Sequence, residues 1–353
     1  MKSYHFDRTR LIEPLLHHRT PKIVVVGDFC LDKYLYIDAA LDEPSVETGL
    51  TAYQVRRKAI YAGAAGTIAN NLASLGATVC AVGLYGDDGE GYELLRALEK
   101  IGVATEGMIR GDGLFTCTYT KPMRKIDGVW TELNRLDIRN SQPAPSGLIE
   151  EVKRTLDTLI PTCDAVIVSD QFTHEAGSTL NDDLRSFLAE CAERHPEIFF
   201  LVDSRSHSER YRGTMVKCNA GEILDAYRRT QNAEEKAAVR VDGSADEKLD
   251  QILEAGRKLS IRNGQPLLVT RGRRGSLLFE GEDVTEIPAF AVEPPIDICG
   301  AGDATDAGLA FGRAIGLALP DAALLAGLIS SITIQQLGVT GTATIEQILS
   351  RIE

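Results

Sequence analysis

Short runs of apolar, mostly β-branched residues recur along this chain and constrain its fold more than any other feature. The runs lie at residues 23–26, 79–82, 165–168, 199–202 and 267–270. Each run is continuous instead of alternating, as expected for strands that are buried on both faces. Segments of helical length separate them, at residues 64–75, 91–100, 146–159, 180–194 and 245–260. This alternation predicts an α/β fold with a doubly wound, mostly parallel sheet flanked by helices.

Two stretches break the pattern and alternate with a period of two. In residues 31–61, Tyr34, Tyr36 and Asp38 alternate with the apolar residues Leu35 and Ile37, and a second alternating stretch lies within residues 113–138. Such alternation with intervening turn residues predicts antiparallel strands with one solvated face. We therefore expect a small β lid, built from these two stretches, on a single domain that spans residues 1–353.

Charge and cysteine spacing narrow the class of protein. The net charge is −13 and the isoelectric point is near 5.1, which argues against a nucleic-acid partner. The seven cysteines are widely spaced and form no metal-binding or disulfide pattern, so we expect reduced thiols in a cytoplasmic protein. Residues 1–20 mix charged and apolar residues and predict an amphipathic helix, not a signal peptide or membrane span.

The segment Gly300-Ala301-Gly302-Asp303 precedes a helical run at residues 304–314. The amides of Ala301, Gly302 and Asp303 would have no intrahelical partner, so together with the helix dipole they can hold a transferring phosphoryl group. The alternative is an ordinary helix start with an acidic first turn. Gly-Ala-Gly-Asp resembles the anion hole and catalytic base of the ribokinase-like (PfkB) carbohydrate kinases. The resemblance implies that Gly300, Ala301, Gly302 and Asp303 are catalytic.

Two carboxylates follow the first predicted strand. Asp28 and Asp32 lie beyond its carboxyl end, where open α/β sheets bind ligands, although caps of local turns are the alternative. The pair is similar to the Gly-Asp-x-x-Leu-Asp signature of heptose 7-phosphate kinases, which implies sugar binding. Gly63 and Thr67 match the family's first sugar-binding signature, but Ala64 replaces a glycine there and Thr67 replaces an asparagine.

Several basic residues are candidates for holding a substrate phosphate. The tripeptide Arg135-Leu136-Asp137 resembles one that follows the lid hairpin in heptose kinases, which implies that Arg135 and Asp137 contact the substrate. Lys121 and Arg124 are further candidates, because an extended cationic side chain can reach a phosphate group. Arg205, at the position of a lysine in the family's Asp-Pro-Lys, is a weaker candidate.

Two motifs resemble the family's nucleotide and metal sites. Asn219 and Glu222 match its Asn-x-x-Glu motif, which implies contacts to the ATP phosphates and to Mg²⁺; a helix capping box is compatible with the same residues. Thr270, Gly272 and Gly275 match its Thr-x-Gly-x-x-Gly nucleotide loop. The chain has no Gly-x-x-x-x-Gly-Lys-Ser/Thr, so a P-loop kinase is not expected.

The last motif lies near the C-terminal end of the sequence. Gly338 and Thr340 resemble the turn that closes the adenine pocket in this family, and the resemblance extends to a monovalent cation near Asp297. The sequence stops at Glu353 without a nucleotidyltransferase domain like that of bifunctional relatives, so we expect a stand-alone kinase.

The resemblance covers residues 23–352 and implies an ATP- and Mg²⁺-dependent sugar or sugar-phosphate kinase with Asp303 as base. The motifs favour heptose 7-phosphate 1-kinase activity. The alternatives are a kinase of the fructose, ribose or nucleoside type, a non-catalytic sugar-nucleotide sensor, or a dinucleotide-dependent oxidoreductase, which would lack its glycine fingerprint here. The expected partners are the sugar, ATP and a second copy of the chain bound through the lid.

Overall fold

The computed structural model describes residues 1–5, 7–173, 176–231 and 249–352. The strands are β1 (Lys2–Ser3), β2 (Lys22–Gly27), β3 (Phe29–Ile37), β4 (Glu43–Pro44), β5 (Thr51–Ala52), β6 (Val55–Ala64), β7 (Thr78–Gly86), β8 (Ala104–Gly111), β9 (Thr118–Ile126), β10 (Val129–Glu132), β11 (Leu136–Ile138), β12 (Ala165–Asp170), β13 (Phe199–Ser204), β14 (Met215–Asn219), β15 (Leu267–Thr270), β16 (Ser276–Glu280) and β17 (Asp283–Ile287). The helices are α1 (Thr9–Leu16), α2 (Ala65–Ser74), α3 (Gly89–Lys100), α4 (Ser146–Leu159), α5 (Asp182–Arg194), α6 (Ala220–Thr230), α7 (Leu249–Asn263), α8 (Ala301–Ala314), α9 (Leu319–Thr333) and α10 (Ile345–Ile352).

The central sheet confirms the predicted architecture. Its ten strands run in the order β1-β17-β16-β15-β14-β13-β12-β2-β7-β8, and only the β15–β16 and β16–β17 pairs are antiparallel. Each of the five predicted strands and five predicted helices corresponds to an element of the structure. For the helix predicted at 245–260, residues 245–248 lie outside the described part of the chain, and α7 covers the rest.

The continuous apolar runs are explained by a core on each face of the sheet. In β2, Ile23 and Val25 pack into one hydrophobic cluster, whereas Val24 and Val26 pack into the other. All four side chains are buried. Since both faces are covered by helices, every position of a central strand contributes to a core, and full burial of each such side chain is worth about 1.5–3 kcal/mol.

The lid is a separate sheet with the order β10-β9-β3-β6, and β11 pairs with residues 118–120 of β9, on the edge that β10 also occupies. The expectation of antiparallel strands is corrected at its centre, because β3 and β9 pair in parallel, with Leu31 opposite Thr118. Both strands continue from strands of the main sheet that run parallel to each other, β3 directly after β2 and β9 shortly after β8. They therefore enter the lid in the same direction.

The candidate site lies where this topology places the predicted motifs. Strands β2, β12, β13, β14 and β15 are mutually parallel, so their carboxyl ends meet at one edge of the sheet, where open α/β folds bind ligands. The N-terminus of α8 packs against the same region, since α8 contacts β12, β13 and β2. Within the described ranges, no helix combines the length and the apolar character needed to cross a membrane.

Candidate active site

The N-terminus of α8 has the backbone geometry predicted for an anion hole, with one difference. Gly300 directly precedes the helix with a φ of 78°, a left-handed conformation that glycine adopts without a steric penalty. The amide of Ala301 was expected to be free, but it donates to the carbonyl of Ile298 at 3.1 Å. In the part of the chain that the structure describes, the amides of Gly302 and Asp303 have no acceptor. These two amides are therefore the donors available to an anion.

Asp303 is a partly exposed carboxyl in the first turn of α8. Burial raises its pKa to about 7, and the nearby carboxylate of Asp203 acts in the same direction, while Lys217 and Arg205 oppose the shift. A base is most effective when its pKa lies near the working pH. Asp303 is thus a better base than an aspartate with the reference pKa of about 3.9.

Two charged residues beside Asp303 were not found from the sequence. Lys217 on β14 is buried, and its Nζ lies 2.9 Å from Asp203 Oδ2 and 3.0 Å from Asp306 Oδ2. Burial alone would lower the pKa of Lys217, but the two carboxylates outweigh it and raise the pKa. The only signals were a lysine inside an otherwise apolar strand and an aspartate three residues after Asp303, on the same side of the helix.

The predicted sugar side contains a paired carboxylate. Asp32 Oδ1 lies 2.7 Å from Lys121 Nζ, which also lies 3.0 Å from the hydroxyl of Tyr34. A Cβ atom on Gly63 would overlap Asp32 Oδ2, so the absence of a side chain there leaves room for the carboxylate. Asp32, Lys121 and Gly63 are therefore brought together as predicted, but Asp32 and Lys121 neutralise each other.

Two residues from different predicted binding motifs lie close to Gly300. A Cβ atom placed on Gly300 would lie 3.3 Å from Thr340 Cγ2 and 3.5 Å from Thr67 Cγ2. Thr67 was predicted to contact the sugar and Thr340 the nucleotide. The structure therefore brings Gly300 close to one residue predicted for each ligand.

Two more of the predicted phosphate-binding cations, Arg124 and Arg135, are also paired. Arg124 lies 2.9 Å from Asp42, and Arg135 donates to both carboxylate oxygens of Asp137, at 2.7 and 2.9 Å. Arg205 has no ion pair with any residue that the structure describes. The pairing leaves Arg135 and Asp137 bound to each other instead of open to a substrate.

Asp28 lies below the site and not in it, which corrects its predicted role in sugar binding. The residue is 1% exposed. Its carboxylate accepts hydrogen bonds from the amides of Gln171, Phe172 and Thr179 and from the hydroxyl of Ser178, at 2.9–3.0 Å. Burial and the neighbouring Asp170 raise its pKa to about 7 in spite of these donors. Asp28 therefore anchors the segment after β12.

Asn219 and Glu222 form the helix cap that was the alternative to a metal site. Asn219 Oδ1 accepts from the amides of Gly221 and Glu222, and Glu222 Oε2 accepts from the amide of Asn219 at 2.8 Å. Glu222 Oε1 has no hydrogen bond to any described residue. An oriented carboxylate with one open oxygen suits Mg²⁺, which keeps several waters and binds proteins through few carboxylates. The cap and the predicted metal site are therefore compatible.

A group of three carboxylates is less suitable for a metal. Oxygens of Asp203, Asp303 and Asp306 lie within 4.8 Å of one another. The ammonium group of Lys217, however, lies within 3.0 Å of two of these carboxylates and takes the place that a cation would occupy.

The predicted nucleotide loop follows β15 as a tight turn. Gly275 has a φ of 75°, and a Cβ atom there would overlap the carbonyl oxygen of Ile287, so only glycine fits. Thr270 donates to the carbonyl of Cys218 at 3.3 Å, and Gly272 starts a short helical turn between Thr270 and Gly275. The loop therefore lies beside the end of β14, next to Asn219.

Asp297, near which a cation was expected, ties two segments together. Its Oδ1 accepts from the amide of Cys299 at 3.0 Å, and its Oδ2 accepts from the amide of Gly338 at 3.1 Å. Gly338 and Thr340 are thereby held beside the loop that leads into α8.

Comparison with known proteins identifies relatives of this chain. A family model described as pfkB family carbohydrate kinase matches residues 20–122 and 214–346. The D-beta-D-heptose 7-phosphate kinase of Bordetella bronchiseptica is 30% identical over 323 residues, which cover 90% of this chain and 92% of that protein. The bifunctional protein HldE of Trichlorobacter lovleyi is 30% identical over 346 residues, which cover 97% of this chain and 65% of that protein. The chain thus spans less than two thirds of that bifunctional relative.

Solved structures show the same fold. The Arabidopsis thaliana ribokinase, complexed with ribose and ATP, has a TM-score of 0.66 at 17% identity, covering 95% of this chain and 99% of that one. The phosphofructokinase-2 of Escherichia coli, in complex with potassium, has a TM-score of 0.67 at 13% identity, covering 94% and 98%. The predicted ribokinase-like α/β fold with a β lid is confirmed.

Proposed function

Because the chain belongs to the pfkB family of carbohydrate kinases, we propose that it transfers the γ-phosphoryl group of ATP to the 1-hydroxyl group of heptose 7-phosphate. The observation that carries the proposed chemistry is Asp303, a carboxyl with a pKa raised to about 7 by burial, beside the two unpaired amides at the N-terminus of α8. The substrate is suggested by the relatives named heptose 7-phosphate kinase.

The proposed reaction is an in-line displacement. The acceptor hydroxyl oxygen forms a bond to the γ-phosphorus, the bond between that phosphorus and the bridging oxygen breaks, and ADP leaves with the electron pair. The hydroxyl proton passes to Asp303, which needs to accept it only late in a loose transition state. The amides of Gly302 and Asp303 donate to the phosphoryl oxygens, and one such donor is commonly worth about 10²–10³ in rate.

We assign the nucleotide and the metal to the side of the anion hole opposite the proposed sugar site. We assign ATP to Asn219, the turn containing Thr270, Gly272 and Gly275, and the segment containing Gly338 and Thr340. Glu222 and Asn219 would hold Mg²⁺, which neutralises charge on the ATP phosphates. A monovalent cation near Asp297 is part of the same proposal, and a comparison of turnover in potassium and in sodium salts tests it.

One observation favours a different acceptor. Lys121, Arg124 and Arg135, which were the candidates for holding a sugar phosphate, all pair with carboxylates of the lid. Binding a 7-phosphate group through any of these three side chains requires its ion pair to break, which leaves Arg205 as the candidate without an ion pair among the described residues. An unphosphorylated sugar does not require this, so a kinase of the fructose or ribose type is the second candidate.

The deciding experiment measures ADP release at fixed Mg-ATP with heptose 7-phosphate, fructose, ribose and nucleosides. We expect heptose 7-phosphate to give the highest kcat/KM, and preference for another sugar would replace the proposed substrate. Asp303→Asn is the matched control, which should abolish turnover and leave ATP affinity nearly unchanged. If the wild-type chain binds sugar and nucleotide without turnover, it is a non-catalytic sugar-nucleotide sensor instead.

The proposed setting is a homodimer in the cytoplasm. All seven cysteines are free, which suits a reducing compartment. The lid carries exposed large apolar side chains, including Val129 at 66% and Trp130 at 44% exposure. We propose that these side chains form the contact between two copies of the chain, because large exposed apolar surface often marks a protein interface.

A further inference from the structure

The ammonium group of Lys217 lies beside the first turn of α8, close to the anion hole. A Cβ atom built on Gly302 would stand 3.2 Å from Lys217 Nζ. In an α-helix every Cα–Cβ bond tilts toward the N-terminus of the helix. The Nζ atom therefore lies beside the first turn of α8, next to Gly302, whose amide has no acceptor among the described residues.

The position of Lys217 explains why residue 302 is a glycine, which its backbone conformation does not require. Gly302 lies in ordinary helical conformation within α8, where alanine would be the better helix former by about 1 kcal/mol. A side chain there would stand against Lys217. The missing side chain leaves the space between Nζ and the hole open.

The hydrogen-bonding capacity of Lys217 is not exhausted by its two ion pairs. An ammonium group has three donors. Two point to Asp203 Oδ2 and Asp306 Oδ2, at 2.9 and 3.0 Å, and no other acceptor is recorded for Nζ among the described residues. One donor therefore remains, on an atom that lies beside the hole.

Stability alone does not explain why Lys217 and Asp306 form a buried ion pair. Lys217 and Asp306 are both nearly fully buried, and Asp306 Oδ1 has no hydrogen-bond partner among the described residues. Buried ion pairs lose so much hydration that apolar replacements of similar volume are often neutral or stabilising. A buried, incompletely satisfied pair next to a catalytic base therefore points to a role in the reaction.

We propose that Lys217 is a further catalytic residue, whose third ammonium donor binds the transferring phosphoryl group together with the amides of Gly302 and Asp303. Asp203 and Asp306 position the ammonium group. The inference rests on the proposed phosphoryl transfer and adds a positive charge to a hole that was otherwise built from backbone amides alone.

The test compares the wild-type chain with the double variant Lys217→Met/Asp306→Leu, which removes the ion pair without leaving Asp306 unpaired. If the pair is only structural, this variant loses stability, in part because Asp203 also loses its partner, but it keeps its kcat. We expect a melting temperature within about 8 °C of wild type, an ATP KM within about threefold, and a kcat reduced by about 10²-fold. A wild-type kcat overturns the proposal.

Two controls keep the result interpretable. Leu156→Ala removes a fully buried side chain of α4, away from the site, and should lower stability without lowering kcat. If the first double variant does not fold, Lys217→Gln/Asp306→Asn keeps polar atoms at both positions and is measured in the same way.

A second measurement does not depend on the sugar. Calorimetric titrations compare binding of MgADP with binding of MgADP plus aluminium fluoride, which mimics the transferring phosphoryl group. Wild type should gain at least tenfold in affinity from the fluoride complex, and the double variant should lose that gain while binding MgADP as before. Equal gains in both proteins overturn the proposal. The result holds even if no sugar in the panel is an acceptor, so failure of the proposed substrate and failure of Lys217 are distinguished.

Discussion

Asp28 and Asp32 are four residues apart, yet the structure gives them different tasks. Asp28 is buried and accepts four hydrogen bonds from the segment after β12. Asp32 is partly exposed and forms an ion pair with Lys121. The sequence shows only that two carboxylates follow a strand. It does not show that β3 begins at residue 29 and carries Asp32 out into the lid while Asp28 stays under the sheet edge.

Replacing each of these aspartates by alanine should separate the two tasks. Asp28→Ala leaves buried donors without an acceptor and should lower the free energy of unfolding by about 3 kcal/mol or more. Asp32→Ala removes a partly exposed ion pair and should cost about 1 kcal/mol, but it should raise the KM for the sugar. Urea denaturation and steady-state kinetics measure both effects. A raised sugar KM with unchanged stability in Asp28→Ala would contradict the supporting role assigned to Asp28.

The pKa of Asp303 predicts how turnover depends on pH. The base accepts a proton only when it is ionised, and burial together with Asp203 raises its pKa to about 7. We therefore expect kcat to be constant above pH 7 and to fall about tenfold per pH unit below it. Asp203→Asn removes the negative neighbour, so the fall in kcat should begin at a lower pH. A limb that stays near pH 4 in the wild-type chain would rule out a raised pKa for the base.

At the scale of elements, α2 begins with a strained residue. Ala64 connects β6 to α2 with φ 52° and ψ −119°, a conformation that glycine adopts far more readily than alanine. The sequence comparison had marked Ala64 as a departure from the family's usual pair of glycines. The structure shows that the backbone kept the glycine conformation although the residue changed.

Ala64→Gly should therefore stabilise the protein. Relief of a strained backbone is worth about 1–3 kcal/mol, and the added flexibility of glycine in the unfolded chain offsets about 0.5–1 kcal/mol. We expect a net gain of about 1 kcal/mol, measured by chemical denaturation. Ala73→Gly, in the regular part of α2, is the matched control and should lose about 1 kcal/mol. Equal losses in both variants would show that Ala64 is not strained.

The lid shows which properties of an element a sequence pattern predicts. Alternation in the sequence predicted the strands around Tyr34 and Thr118, although most side chains on both faces of these strands are half-buried. It did not predict that β3 and β9 run in parallel, since direction depends on where the chain leaves the main sheet. The partners of Lys121 and Arg124, Asp32 and Asp42, likewise come from other segments of the lid, so the sequence predicted the cations but not their pairing.

At the scale of the whole molecule, the main sheet could be predicted because its signal is local. Each buried strand is a short apolar run, and parallel strands place their carboxyl ends at one edge, which brought Asn219 and Thr270 together as expected. The charged cluster under the anion hole could not be predicted in this way. Lys217 and Asp306 are 89 residues apart, and their contact depends on how α8 packs against β14.

The distribution of exposed apolar side chains predicts how two copies of the chain associate. Large apolar side chains of the lid are exposed, among them Val129 at 66% and Leu136 at 65%. Ile261 on α7 is similarly exposed, at 52%, but it lies on the main domain. Because a charge in the centre of an apolar interface is strongly unfavourable, Val129→Glu should convert a dimer into a monomer, whereas Ile261→Glu should leave it intact. Size-exclusion chromatography with light scattering measures both masses. A monomeric wild-type chain, or a dimer that survives Val129→Glu and dissociates with Ile261→Glu, would show that the lid is not the interface.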